Sequence, residues 1–156
     1  MKTIIGVIGA AEASDTEYKI AEEAGREIAK RNGVLVCGGL RGVMEAACRG
    51  AKSEGGLTVG IVPGFSIYDA NPYVDIPIVT GMSEARNVIV VRSSSVIIAI
   101  GGSGSSYGTL SEIAFALKLR VPIVGINTWE VSPDIKKVTT PKEAVDLAFS
   151  LARPRV

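Results

Sequence analysis

Histidine is absent from the 156 residues, and that single absence removes a large part of enzyme chemistry. No imidazole can act as general base, complete a Ser-His-Asp or Cys-His nucleophile, or ligate a metal. Proton transfer is left to carboxylates, lysine, tyrosine, cysteine or water. Cysteine is scarce too: the 2 thiols, Cys37 and Cys48, stand in no metal-ligand spacing and read as reduced residues of a cytoplasmic protein. Cys37, just before Gly38, reads as a small buried residue before it reads as a nucleophile. Neither sign of charge dominates, with 17 basic against 16 acidic residues and a net charge of +1. A nucleic-acid partner is therefore not expected, because it would call for a basic face or a high isoelectric point. Long apolar runs are missing as well. None approaches the roughly 18 residues that span a bilayer, and the run from Ile4 to Gly9 is too short for a signal-peptide core and is broken up by Gly6 and Gly9.

What is present is a globular composition, 47% hydrophobic and 21% charged, with a mean hydropathy of +0.32. A chain of this length buries about two thirds of its unfolded surface and needs no metal or disulfide staple. With no repeat, linker or low-complexity stretch, residues 1–156 read as one domain.

Short apolar runs alternate with helical patterns. Thr3–Ile8, Val34–Cys37, Thr58–Val62, Ile76–Val79, Ser95–Ile100 and Ile123–Ile126 are brief, β-branched and apolar on both faces, as strands of a covered parallel sheet are. Helices are expected over Thr16–Lys30 with Asp15 as cap and Gly33 as stop, over Val43–Ser53, over Thr109–Leu119, and after Thr140 with Pro141 at its first position. By propensity, the valines and isoleucine of 88–91 favour a strand. Topology decides otherwise, since parallel neighbours need a crossover, so Ser83–Ser94 is expected to be helical. The predicted fold is α/β: a three-layer Rossmann-like arrangement, with a mostly parallel sheet of six or seven strands and helices on both faces.

The 18 glycines gather where strands end and helices begin: Gly9, then Gly38, Gly39 and Gly42, then Gly101, Gly102, Gly104 and Gly108. In an open α/β sheet those loops form the ligand crevice. Glycine lets the backbone approach an anion, and the next helix offers free N–H groups and the positive end of its dipole. Tight turns use glycine anyway, but three such loops on one rim point to a phosphate-bearing ligand. Named motifs fail. Neither G-x-G-x-x-G nor a P-loop occurs, and Gly104–Gly108 fits the G-x-S-x-G nucleophile elbow without the histidine that elbow needs.

Two charged residues stand out. Arg86 falls in the first turn of the Ser83 helix, where the dipole disfavours a cation unless an anion sits beside it. The plainer alternative is a surface arginine reaching Glu84 or solvent. Glu112 lies one turn into its helix, facing the ligand or forming a capping box with Thr109. Arg41, between glycines, is a further anion candidate, and Asp15 could meet a ribose hydroxyl but reads first as a cap.

The runs Gly38-Gly39-Leu40-Arg41-Gly42-Val43-Met44-Glu45, Glu84-Ala85-Arg86-Asn87 and Gly101-Gly102 to Tyr107-Gly108-Thr109-Leu110-Ser111-Glu112 resemble the LOG-like superfamily of Rossmann-type proteins. The resemblance runs from Ile4 to about Trp129. Gly60-Ile61-Val62-Pro63-Gly64 and Asn71-Pro72-Tyr73 look more like its small-protein branch, which includes molybdenum cofactor carriers. Likeness to the enzymatic branch implies a nucleoside 5′-monophosphate phosphoribohydrolase with Arg86 and Glu112 as catalytic pair. Against the enzymes' Pro-Gly-Gly-x-Gly-Thr-x-x-Glu-Glu, however, Ile100 replaces the proline, Ile113 replaces the second acid, and the glycine loop is longer. What carries over is the anion-binding frame.

The first expectation is thus a binding protein for a phosphorylated heterocycle, a nucleotide or pterin phosphate, with molybdenum cofactor as cargo. It requires no cofactor of its own and has no metal site. The alternative is the hydrolase. Ligand-binding candidates are Gly9, Ala10, Gly38, Gly39, Arg41, Gly42, Pro63, Arg86, Gly101, Gly102, Ser103, Gly104, Tyr107, Gly108 and Thr109. The resemblance also implies a homo-oligomer built on a dimer; a cytoplasmic location with no membrane partner is expected from the composition.

Overall fold

A computed structural model describes residues 1–152. Seven parallel strands form one sheet: β1 (Ile4–Gly9), β2 (Val34–Cys37), β3 (Leu57–Val62), β4 (Ile76–Val79), β5 (Val96–Ile100), β6 (Ile123–Ile126) and β7 (Ile135–Lys137), in the order β4-β3-β2-β1-β5-β6-β7. The helices are α1 (Asp15–Lys30), α2 (Val43–Ser53), α3 (Asn87–Ser93), α4 (Tyr107–Leu119) and α5 (Pro141–Leu151). Helices α1, α2 and α5 cover one face and α3 and α4 the other, so the expected three-layer Rossmann-like architecture is the one observed. The sheet's central strands are buried on both faces, which accounts for their unbroken apolar runs.

Several local features differ from the sequence reading; α4, for one, begins at Tyr107 and not at Thr109. Helix α1 begins one residue early, and its cap is Ser14, not Asp15. The Ser14 hydroxyl accepts from the Glu17 amide at 3.1 Å, and the Glu17 carboxylate accepts from the Ser14 amide at 2.9 Å. This is the S-x-x-E capping box. The segment expected as helix over Ser83–Ser94 is helical to Ser93, but opens as a 3-10 turn over Ser83–Arg86 before α3 takes over, and Ser94 is already extended. Val90 and Val91 are fully buried there, so packing under the sheet overrides their strand propensity. Strand β7 lies beyond the six runs named from sequence; only Ile135 of its three residues is buried, leaving little hydrophobic signal.

Helices α1 and α2 meet backbone to backbone. A Cβ on Gly25 would lie 2.0 Å from the Ala47 carbonyl oxygen, and one on Gly50 would lie 1.8 Å from that of Glu22. Mid-helix glycine, a loss of about 1 kcal/mol by propensity, is here the condition for that approach.

Strand order reverses between β1 and β5, which pair in parallel from Ile5 with Val96 to Gly9 with Ile100. The carboxyl ends of these strands open into the crevice that such a switch point creates.

Candidate functional site

A cavity of about 360 Å³ lies at that switch point. Gly9 at the end of β1, Pro63 after β3, Arg86 from the 3-10 turn and Tyr107, Gly108, Thr109 and Glu112 of α4 all line it. Seven of the predicted site residues therefore converge in one place.

Arg86 is the best-held of them. Only 7% of it is exposed, so it is not the surface arginine of the plainer reading. Its Nε donates to the Ile61 carbonyl at 2.8 Å and its Nη2 to the Gly38 carbonyl at 3.1 Å, while Nη1 donates to the Asn87 side chain. Carbonyls at the ends of β2 and β3 thus aim the guanidinium. No carboxylate lies within ion-pair distance of it among the described residues. Burial pulls its pKa below the ordinary value, partly offset by the charge of Glu112. A buried cation with no carboxylate in direct contact carries a desolvation penalty that an anion in the cavity would relieve.

Glu112 is likewise only 7% exposed, and no hydrogen bond to its carboxyl exists among the described residues. Burial raises its pKa from 4.5 to about 8, against the lowering influence of Arg86. At neutral pH it is mostly protonated, a neutral donor beside a cation. It takes no part in capping. The cap of α4 is Ser106, whose hydroxyl accepts from the Thr109 amide at 3.3 Å and contacts the Thr109 hydroxyl at 2.7 Å.

The mouth of α4 is open. A Cβ on Gly108 would meet nothing within 4 Å, so packing inside the chain does not require glycine there. Tyr107 stands exposed against Trp129, with ring centroids 6.2 Å apart, and the Trp129 indole donates to the Ser106 carbonyl at 3.3 Å, holding the helix start.

The remaining predicted residues serve in other ways. Gly102 donates its amide to the Glu17 carboxylate at 3.0 Å, and Gly101 is crowded by the same side chain, at which its Cβ would sit 1.8 Å from Oε1. An internal carboxylate thus occupies the amide that the glycine-loop pattern offers to a ligand. Ala10 accepts from the Val43 amide at 3.0 Å, and Gly42 makes that turn with φ of +64°. Gly38 supports Arg86, and the Gly39 amide donates to the Cys37 sulfur at 3.3 Å. Ser103 and Gly104 are exposed and line no cavity described here. Arg41 lines an adjoining chamber that shares Ala11 and Leu40 with the Arg86 cavity.

Asn87, Met44 and Leu40 line the cavity without having been named from sequence. Asn87 was the findable one. It follows Arg86 directly, and its amide donates to the Ser111 hydroxyl at 3.0 Å, bridging to α4. Cys37 and Cys48 are fully buried with their sulfurs 3.6 Å apart; that contact and burial push the Cys48 thiol upward. No group of three or more metal-binding side chains occurs among the described residues, and no helix is long and apolar enough to cross a membrane.

Similarity to known proteins follows the same outline. The molybdenum cofactor binding protein of the phototrophic bacterium Rippkaea orientalis superposes with a TM-score of 0.89 at 39% identity, over 97% of this chain and 98% of that one. The molybdenum cofactor carrier protein of Chlamydomonas reinhardtii gives 0.87 at 35% identity, over 97% and 98%. A protein of Archaeoglobus fulgidus is 46% identical over 94% of both chains. A cytokinin riboside 5′-monophosphate phosphoribohydrolase of Mycobacterium tuberculosis is 36% identical over 61% of this chain, which spans about half (51%) of that enzyme. The model of the SLOG cluster4 family matches residues 2–152, and the chain belongs to that family.

Proposed function

We propose that this protein binds a phosphorylated heterocycle and carries it without cleaving it, with a pterin phosphate of the molybdenum cofactor type as cargo. The observation that carries the reading is the buried guanidinium of Arg86, without a direct ion pair among the described residues, in a cavity beneath the open start of α4. Guanidinium, helix amides and a protonated Glu112 are three kinds of donor suited to one phosphate. Two solved structures of molybdenum cofactor binding proteins that match nearly the whole chain support the choice of cargo. The donor set fits a grip on phosphate and ring. It offers molybdenum neither imidazole nor thiolate, since histidine is absent and both thiols are buried against each other.

The test is direct. Protein purified from a host that makes the cofactor should carry a phosphorylated pterin, and an Arg86→Ala variant should not. Protein that carries none and has no affinity for pterin phosphates would overturn the reading.

A second reading, phosphoribohydrolase, is favoured by Glu112 and Arg86 lining one cavity and by the similarity to the Mycobacterium tuberculosis enzyme. Two observations weigh against it. Glu112 is mostly protonated at neutral pH, and Ile113, where the enzymes' motif has a second acid, is fully buried among Val90, Val91 and Ala116. Release of ribose 5-phosphate from a nucleoside monophosphate, lost in Glu112→Ala, would establish the enzyme instead.

The carrier is further proposed to be a cytoplasmic homo-oligomer. Ile76, Ile78 and Val79 leave the edge strand β4 apolar and exposed, as an interface between copies would require. Light scattering in solution decides between oligomer and monomer.

A further inference from the structure

The Arg86 cavity does not end at Leu40. A second chamber of about 600 Å³ adjoins it, with Ala11 and Leu40 common to both walls. It is the more acidic of the two: Glu12, Glu45 and Asp69 line it against a single Arg41, whereas Arg86 shares its cavity with Glu84 and the buried Glu112. Asp69 is engaged with the Ser66 amide at 3.2 Å. Glu12, Glu45 and Arg41 have no ion pair or hydrogen bond among the described side chains, although all three border one space. Carboxylates accept and do not donate, so this chamber repels a phosphate and attracts a group rich in N–H. The ring of Tyr68, on the same wall, is 89% exposed and leaves an aromatic face for a planar ring to stack on.

Resting on the phosphate-binding reading above, we infer that the ligand lies across both chambers, its phosphate at Arg86 and its heterocycle at Glu45 and Glu12, and that the heterocycle presents a 2-amino-4-oxopyrimidine edge. That edge, common to pterins and guanine, sets two adjacent N–H donors beside a carbonyl. One carboxylate accepts both donors side by side, and Arg41 donates to the carbonyl. Adenine sets a single amino group beside ring acceptors, and a carboxylate facing those acceptors is left unpaired. The buried guanidinium in one chamber and the excess of carboxylates in the other set the ligand's direction.

The experiment is calorimetric titration of the full chain with three probes: 6-hydroxymethylpterin monophosphate, its 2-oxo lumazine counterpart, and ribose 5-phosphate. Wild type should bind the pterin about tenfold or more tighter than the lumazine, which lacks the amino group. Glu12→Gln with Glu45→Gln should erase that preference and leave ribose 5-phosphate affinity and melting temperature unchanged. A helix-start role for Glu45 alone would shift the melting temperature and leave the preference intact. Equal binding of pterin and lumazine by wild type, with ribose 5-phosphate still bound, overturns the heterocycle assignment and leaves the phosphate site standing. Failure of all three probes to bind overturns both. If the double variant does not fold, the pterin-to-lumazine ratio of the wild type decides by itself.

Discussion

Gly38 and Arg86, 48 residues apart, fit each other as socket and plug: the Gly38 carbonyl accepts from Nη2 at 3.1 Å, and a Cβ on Gly38 would lie 2.6 Å from that nitrogen. The aim of the guanidinium thus depends on an absent side chain. Gly38→Ala should displace Arg86 and weaken ribose 5-phosphate binding by about tenfold, equivalent to about 1.4 kcal/mol, while the fold persists. Titration of the variant beside wild type checks this; unchanged affinity would mean that Arg86 does not hold the anion.

Glu112 makes stability depend on pH. Its folded pKa of about 8 lies above the ordinary 4.5, so between those values the folded state holds a proton that the unfolded state has lost. Stability should therefore fall as pH rises through that window, by up to about 1.4 kcal/mol per unit, and level off above it. Urea melts at pH 5 and pH 8 should show the loss, and Glu112→Gln should abolish it. Phosphate affinity should also fall above pH 8, where a charged Glu112 repels the ligand.

Gly108 separates folding from binding. Alanine there meets no neighbour and removes a helix-disfavouring glycine, so Gly108→Ala should raise stability by about 0.5–1 kcal/mol. The same methyl group narrows the mouth of α4, and phosphate binding should weaken. A variant both more stable and equally good at binding would place the ligand elsewhere.

Glu17 has the reverse profile. It closes the capping box of α1 and receives the Gly102 amide, so Glu17→Ala should reduce stability by about 1–3 kcal/mol. Phosphate affinity in the folded variant should change little, because Gly101 and Gly102 do not line the Arg86 cavity. A large loss of affinity would return that loop to the site.

Much of this was legible in the residues. Two-sided apolar runs marked six of the seven strands, and topology resolved 83–94 where propensity misled. Strand β7 escaped because one buried isoleucine between polar neighbours has no period to read. Ser14 and Glu17 were readable as a capping pair, and passing over them moved the cap to Asp15. In the site, Arg86 drew notice because the dipole disfavours a cation at a helix start, and Glu112 by its place one turn beyond Gly108 and Thr109; both line the cavity. The division among the glycines was not readable. Whether a loop amide meets a ligand or an internal acid depends on Glu17, 85 residues from Gly102 in sequence. Nor could spacing reveal that Arg41 and Arg86 line different chambers.

The most direct measurement is the affinity of the wild-type chain and of Arg86→Ala for 6-hydroxymethylpterin monophosphate, with folding verified by circular dichroism. Arg86→Ala leaves the Ile61 and Gly38 carbonyls without their donor, so some stability is lost as well. Tight binding by wild type and a loss of about a hundredfold in the folded variant is the predicted result. Equal affinity in both proteins would contradict it, because the phosphate would then be held by something other than the buried guanidinium.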